Sequence, residues 1–279
     1  MISIAYSPCP NDTFLFYHLV HKKIKGYESI SEELWDVENL NQFAREGKFP
    51  VTKISFAAYF TVIDRYVLLE TGSALGKGCG PILVRKKGSH ANLTAQSRIV
   101  VPGLLTTANL LLSLYTESNF EAIPTRYDKI IPSLLSGEED FGVIIHEERF
   151  TFESRGLEKV VDLGQWWEDN TGLMIPLGAI AIRRDIPRSD AIHFQRGLQE
   201  SLKQAYLHPD LMKSYIQEHS QNKDPQVIQS HIDLYVNEYT KKLGTEGHKA
   251  IESLYNKALQ IGFAGVQNSN LPLFLGEAE

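Results

Sequence analysis

The sequence predicts an α/β protein of two lobes facing each other across a cleft. Three observations carry this prediction. Short apolar strands alternate with helical segments along the chain, a pattern of covered, largely parallel sheets. The segments Ile2–Val20 and Arg98–Tyr115 share one plan: apolar strand, proline-containing turn, polar capping residue, helix. Two polar stretches, Lys86–Gln96 and Asn170–Pro176, are placed to act as hinges. The expected first lobe is residues 1–88 with 175–279, including the C-terminal helices, and the second is residues 89–174.

At the N-terminus, Ile2–Tyr6 reads as a buried strand. The turn Ser7–Asp12 carries two prolines that forbid helix, and Asn11 or Asp12 is free to cap the first helix. Thr13–Lys22 and Val37–Glu46 have helical apolar spacing, the second ended by Gly47. Lys53–Ile63 is apolar and alanine-containing and is read as helix. Tyr66–Leu69 and Pro81–Arg85 are strands around the glycine-rich bend Gly72–Gly80. Arg98–Val101 is a strand, Thr106 and Thr107 cap the helix Ala108–Tyr115, and Asp128–Leu135 is a helix. Phe141–Ile145 is a strand running into His146, and Leu177–Arg183 is another. Amphipathic helices close the chain at Ser189–Leu207, Pro209–Glu218, Pro225–Tyr239 and Glu246–Ile261.

A chain of 279 residues can bury an ample core. Its formal charge of −6 argues against nucleic-acid binding, which needs a basic surface. Two cysteines, Cys9 and Cys79, make no disulfide framework and no zinc half-site. The N-terminus lacks the basic and apolar regions of a signal peptide, and no apolar run is long enough to span a bilayer, so a cytoplasmic protein is expected.

In open α/β sheets, ligands bind beyond the carboxyl ends of the strands, where helix starts offer free N–H groups to an anion. Ser7–Asp12, Lys53–Ser55, Thr106–Ala108 and His146 all fall there. A neutral imidazole at His146 can take a proton, although a packed or capping histidine fits the same position. Thr106 and Thr107 serve equally as a helix cap and as an anion cradle. Lys53 and Ser55 offer a charge and a hydroxyl, or a solvated lysine and a cap. Cys9 as a nucleophile lacks an obligate base beside it, and His18 with His21 lacks the further ligands of a metal site. Trp166 and Trp167 can line a rim or pack in the core. There is no GxGxxG, Walker A, HExxH or GxSxG motif.

The motifs SPCPNDTF (Ser7–Phe14), TKISFAAY (Thr52–Tyr59), the glycine-rich stretch ending at Val84, VPGLLTTA (Val101–Ala108) and IIHEERFT (Ile144–Thr151) resemble the 1,4-dihydroxy-6-naphthoate synthases. These are enzymes of the futalosine route to menaquinone. The resemblance runs from residue 2 to about residue 265. It implies a type II periplasmic-binding-protein-like fold and a lyase that splits cyclic dehypoxanthine futalosine into 1,4-dihydroxy-6-naphthoate and a dehypoxanthinylated sugar fragment. It also implies His146 as the catalytic base, substrate contacts at Lys53, Ile54, Ser55, Thr106, Thr107 and Ala108, a small-molecule carboxylate substrate and no metal or organic cofactor. A homodimer is common among such enzymes. Two alternatives share the fold: a non-catalytic small-carboxylate-binding protein and the sister chorismate dehydratase. A hydrolase using Cys9 and His146 is a third.

Overall fold

In the computed structural model, which describes residues 2–117 and 120–276, the chain opens with β1 (Ile2–Tyr6) and α1 (Pro10–Val20). Pro10 occupies the first helical turn, where a missing N–H is harmless, so Pro10–Asp12 is helix rather than turn, and Cys9, not Asn11 or Asp12, stands at the cap. Then come β2 (Ile30–Leu34), α2 (Val37–Glu46), β3 (Val51–Ser55), the single-turn α3 (Phe56–Tyr59), β4 (Tyr66–Leu68) and β5 (Ala74–Gly76). Asp36 caps α2 by accepting from the amides of Glu38 and Asn39. The middle of the chain supplies β6 (Ile82–Lys86), β7 (Arg98–Val101), α4 (Thr107–Tyr115), β8 (Glu121–Pro124), α5 (Tyr127–Ser136), β9 (Phe141–Ile144), β10 (Leu157–Asp162) and α6 (Leu163–Thr171). After β11 (Ile175–Arg183) come α7 (Arg188–Leu207), α8 (Lys213–His219), α9 (Pro225–Tyr235), α10 (Glu238–Lys241) and α11 (Gly244–Gln260).

Two sheets result. The first has the order β2-β1-β3-β11-β4, with β5 also on β11, and the second β10-β6-β9-β7-β8. The expectation of largely parallel strands needs correction, because both sheets are mixed. β1 runs parallel to β2 and β3, and β7 to β8 and β9. β11 is antiparallel to β3, β4 and β5, and β6 to β9 and β10. The antiparallel pairings all involve β6 or β11, the two strands by which the chain enters a sheet from the other unit.

Three further readings change. Lys53–Ile63 is not one helix, since Val51–Ser55 is a central strand and only Phe56–Tyr59 is helical. Pairing on both sides sets the strand state there and overrides local propensity. Ile82–Lys86 joins the second sheet, so the chain crosses between Gly76 and Ile82 rather than within Lys86–Gln96. The bend Gly72–Gly80 contains β5, hydrogen-bonded to β11.

One apolar cluster holds residues from both sheets, including Ile54, Leu68 and Ala181 from the first and Val101, Phe141 and Val143 from the second. A second cluster packs α1, α7 and α9 on the first sheet, through Leu15, Phe194 and Ile232 among others. A third seats Ile130, Ile131 and Leu134 of α5 on Ile82, Val84 and Val100. No helix of the described residues is long and apolar enough to cross a membrane.

Candidate active site

Four strands of the two sheets, β1, β3, β7 and β9, end at one cleft. Beyond β1 lies Ser7–Asp12, beyond β3 the Ser55 corner, beyond β7 the Gly103–Thr107 turn, and beyond β9 His146. The cleft with its open mouth spans about 710 Å³ and is lined by His146, Lys53, Ile54, Ser55, Thr106, Thr107 and Ala108, together with Asn11, Asp12, Cys79, His231 and Tyr235. The expected base and all six expected substrate-contact residues therefore reach the same space.

His146 sits at φ 58°, a left-handed conformation that a non-glycine residue adopts at a cost of about 1–3 kcal/mol. The turn brings Nδ1 to 3.5 Å from Cys9 Sγ. Tyr127 packs edge-on against the ring at 5.2 Å, and His231 lies at 6.3 Å, nearly parallel. Burial drives the His146 pKa down to about 4, against the opposing pull of Asp12 and with Lys53 lowering it further. The imidazole is thus neutral at ordinary pH and holds one lone pair, on the ring nitrogen that does not carry the proton. Cys9, in contact with it, has its thiol raised well above its ordinary pKa, by burial first and then by Glu147 and Asp12. A protonated thiol is a poor nucleophile, so the proximity of Cys9 to His146 does not make a hydrolase dyad.

Of the three residues after His146, Arg149 is structural, bonding the Gly80 carbonyl at 2.6 Å and Asp162 at 2.7 Å. Glu148 faces Arg155 at 3.5 Å, and burial lifts its pKa to about 8. Glu147 is buried beside Cys9 and His146, and desolvation raises its carboxyl.

Lys53 is not a loose cation. Its Nζ lies 2.8 Å from Asp12 Oδ1, and both side chains are buried. Ser7 Oγ donates to the other Asp12 oxygen at 2.7 Å. Ser55 is gripped by Asn41, which accepts from its amide at 2.9 Å and donates to its Oγ at 3.1 Å, leaving the hydroxyl proton to the cleft. Thr106 caps α4, donating to the Gly103 carbonyl at 2.7 Å and accepting from the Asn109 amide at 3.3 Å. Thr107 Oγ donates to the Leu177 carbonyl at 2.7 Å and accepts from the Ala57 amide at 3.3 Å. Both threonine hydroxyls are spent on the fold. The donors that a helix start leaves over are the amides of Thr107 and Ala108.

His231, on α9, is a cleft residue that sequence reasoning missed. Asn11 fixes its tautomer: Asn11 Nδ2 donates to Asp12 Oδ1 at 2.8 Å, so the Asn11 oxygen faces His231 Nε2 at 2.9 Å and that nitrogen carries the proton. Only the chain's long return from the second sheet brings α9 here, and no local spacing signals it. Trp167 is fully buried and donates to the Met174 carbonyl at 3.0 Å, which makes it core rather than rim. His18 is buried on α1, and His21 stacks on Tyr17 at 4.2 Å, so the pair serves packing.

Residues 2–260 match a protein family described as menaquinone biosynthesis. The chain is similar to a Thermus thermophilus protein named 1,4-dihydroxy-6-naphthoate synthase, at 43% identity over 98% of this chain and 99% of that one. A Streptomyces coelicolor protein of the same name is 38% identical, over 94% of each chain. A solved Archaeoglobus fulgidus protein superposes with a TM-score of 0.88 at 36% identity, covering 94% of this chain and 98% of that one. The ligand-binding component of an ABC-type import system from Staphylococcus aureus, at 11% identity and TM-score 0.70 over 95% and 93% of the two chains, shares the fold alone.

Proposed function

The chain belongs to this menaquinone-biosynthesis family, and from that premise we propose that it is a carbon–carbon lyase acting as a 1,4-dihydroxy-6-naphthoate synthase. The substrate of this reading is cyclic dehypoxanthine futalosine. Its carboxylate rests on the Ser55 hydroxyl and the Thr107 and Ala108 amides, near Lys53, whose charge Asp12 already balances. His146 removes a proton as the carbon–carbon bond to the sugar fragment breaks. With that proton taken from a ring-side hydroxyl, the oxygen becomes a carbonyl, the electron pair of the broken bond leaves with the sugar fragment and is protonated there, and enolisation of the ring to the aromatic dihydroxynaphthoate supplies the driving force. With the bond change so favoured, one oriented base in a closed site suffices.

The observation that carries the proposal is a neutral histidine, at a strained strand end, in a cleft both sheets build. The two free cysteine thiols fit a reducing, cytoplasmic setting for the reaction.

The test is naphthoate formation from cyclic dehypoxanthine futalosine by chelator-treated protein, beside His146→Ala. Wild type should turn over without added metal, and the variant should fold and lose at least about 100-fold in kcat, the usual scale for a general base. No product from wild type, with substrate tightly bound, would instead favour a binding protein of this fold. Wild-type turnover in the variant would remove His146 from the mechanism.

A further inference from the structure

Cys9 Sγ, a nitrogen of His146 and a carboxylate oxygen of Glu147 all lie within 4.8 Å of one another. Cys9 and Glu147 are buried, and His146 is the member that meets the cleft. The three come from different parts of the fold. Cys9 stands before α1 on the first lobe, and His146 and Glu147 follow β9 on the second. The proposed reaction uses neither Cys9 nor Glu147.

The spacing has a chemical meaning. Two ligands on a tetrahedral zinc ion, at about 2.3 Å for sulfur and about 2.05 Å for nitrogen, stand about 3.5 Å apart. Cys9 Sγ and His146 Nδ1 stand 3.5 Å apart. The Glu147 carboxylate oxygen, within 4.8 Å of the other two ligand atoms, needs only a small shift to become the third ligand. Thiolate, imidazole and carboxylate together are a ligand set for zinc-like cations rather than for magnesium or calcium.

We propose that Cys9, His146 and Glu147 form an inhibitory site for a thiophilic divalent cation such as Zn²⁺. Binding displaces the thiol proton to solvent and forms a metal–sulfur bond, while His146 Nδ1 donates its lone pair. No oxidation state changes. A neutral imidazole has one lone pair, so a metal-bound His146 has none left to accept a substrate proton. Because the ligands come from both lobes, the ion also ties the cleft together and stabilises the folded chain by mass action. The inhibition rests on His146 being the base, but the binding does not.

The experiment is a titration of the full chain, freed of metal by chelator, with Co²⁺ as a spectroscopic probe and Zn²⁺ as its competitor. Wild type should bind one Co²⁺ with a thiolate-to-cobalt charge-transfer band and a rise in melting temperature. Zn²⁺ should remove the band, and chelator should remove both. Cys79→Ala should keep the band. Cys9→Ser, which keeps the size of the side chain, should lose it and weaken Zn²⁺ binding at least about tenfold. Glu147→Gln should keep the band with weaker binding. In wild type, Zn²⁺ should abolish turnover at one equivalent, reversibly. Absence of the band, or a band that survives in Cys9→Ser and vanishes in Cys79→Ala, overturns the site. Cys9-dependent binding without loss of turnover would leave the metal site standing, overturn its inhibitory role and remove His146 from the base role.

Discussion

At the scale of single residues, His146 and Lys53 show how burial assigns roles. With its pKa near 4, His146 is already deprotonated across the neutral range. kcat/KM should therefore stay flat on acidification until pH approaches about 4. An anionic substrate beside the ring favours the imidazolium, so the acid limb of kcat should lie higher than that of kcat/KM. A pH profile of both constants checks this, and coincident limbs would argue against a carboxylate bound near the ring. His231 is likewise driven well below its ordinary pKa, by burial first and then by His146 and Lys53. Its folded pKa lies below its unfolded one, so its contribution is intact above about pH 6.5 and is lost as pH falls, when only the unfolded chain takes up the proton. The urea midpoint of wild type should thus fall faster between pH 7 and pH 5 than that of His231→Gln. For the Lys53–Asp12 pair, removing one partner strands a buried charge. Lys53→Met should cost about 3–5 kcal/mol in urea unfolding, and adding Asp12→Asn should recover much of it.

Among the elements, the strands that sequence patterning missed have a common property. β2, β8 and β10 are the outer strands of their sheets, and β5 hangs off the main path. Edge strands face water on one side, so their sequences need no sustained apolar run: Ile30–Leu34 carries two glutamates, and Glu121–Pro124 ends in proline. Interior strands such as Phe141–Ile144 and Ile175–Arg183 are legible because both faces are buried. β3 is the exception: it is buried throughout, yet its sequence runs into the helical Phe56–Tyr59 without a break. Where α6 meets the β6 approach, Gly80 and Gly164 touch backbone to backbone, and a Cβ on Gly80 would lie 2.3 Å from the Gly164 Cα. Gly80→Ala should destabilise by at least about 1–3 kcal/mol and distort the cleft wall, measured by thermal unfolding together with substrate affinity.

Across the whole molecule, the cleft is closed over more tightly than a two-lobe hinge suggests. Cys9 meets His146, the Leu105 amide reaches Glu38 at 3.4 Å, and Arg149 holds the Gly80 carbonyl. One apolar cluster runs through both sheets. Separating the lobes would split that shared cluster, so urea unfolding should be one transition, with tryptophan fluorescence and far-ultraviolet circular dichroism coinciding. Separated transitions would mean that the lobes fold independently.

What the sequence determined by itself was local or motif-borne. The strand–turn–helix units at Ile2–Val20 and Arg98–Tyr115, the helix ends at Thr106 and Gly47, the buried central strands and the family resemblance are all written in contiguous residues. Tertiary structure decided whatever depends on two distant segments meeting. It decided the strand state of Val51–Ser55, the sheet to which Ile82–Lys86 belongs and the antiparallel entries of β6 and β11. It also neutralised Lys53 with Asp12, brought His231 beside Asn11, and set Cys9 against His146. The physical reason is that burial, hydrogen-bond partnership and charge are properties of the surroundings, and a residue acquires its surroundings only when the chain has folded.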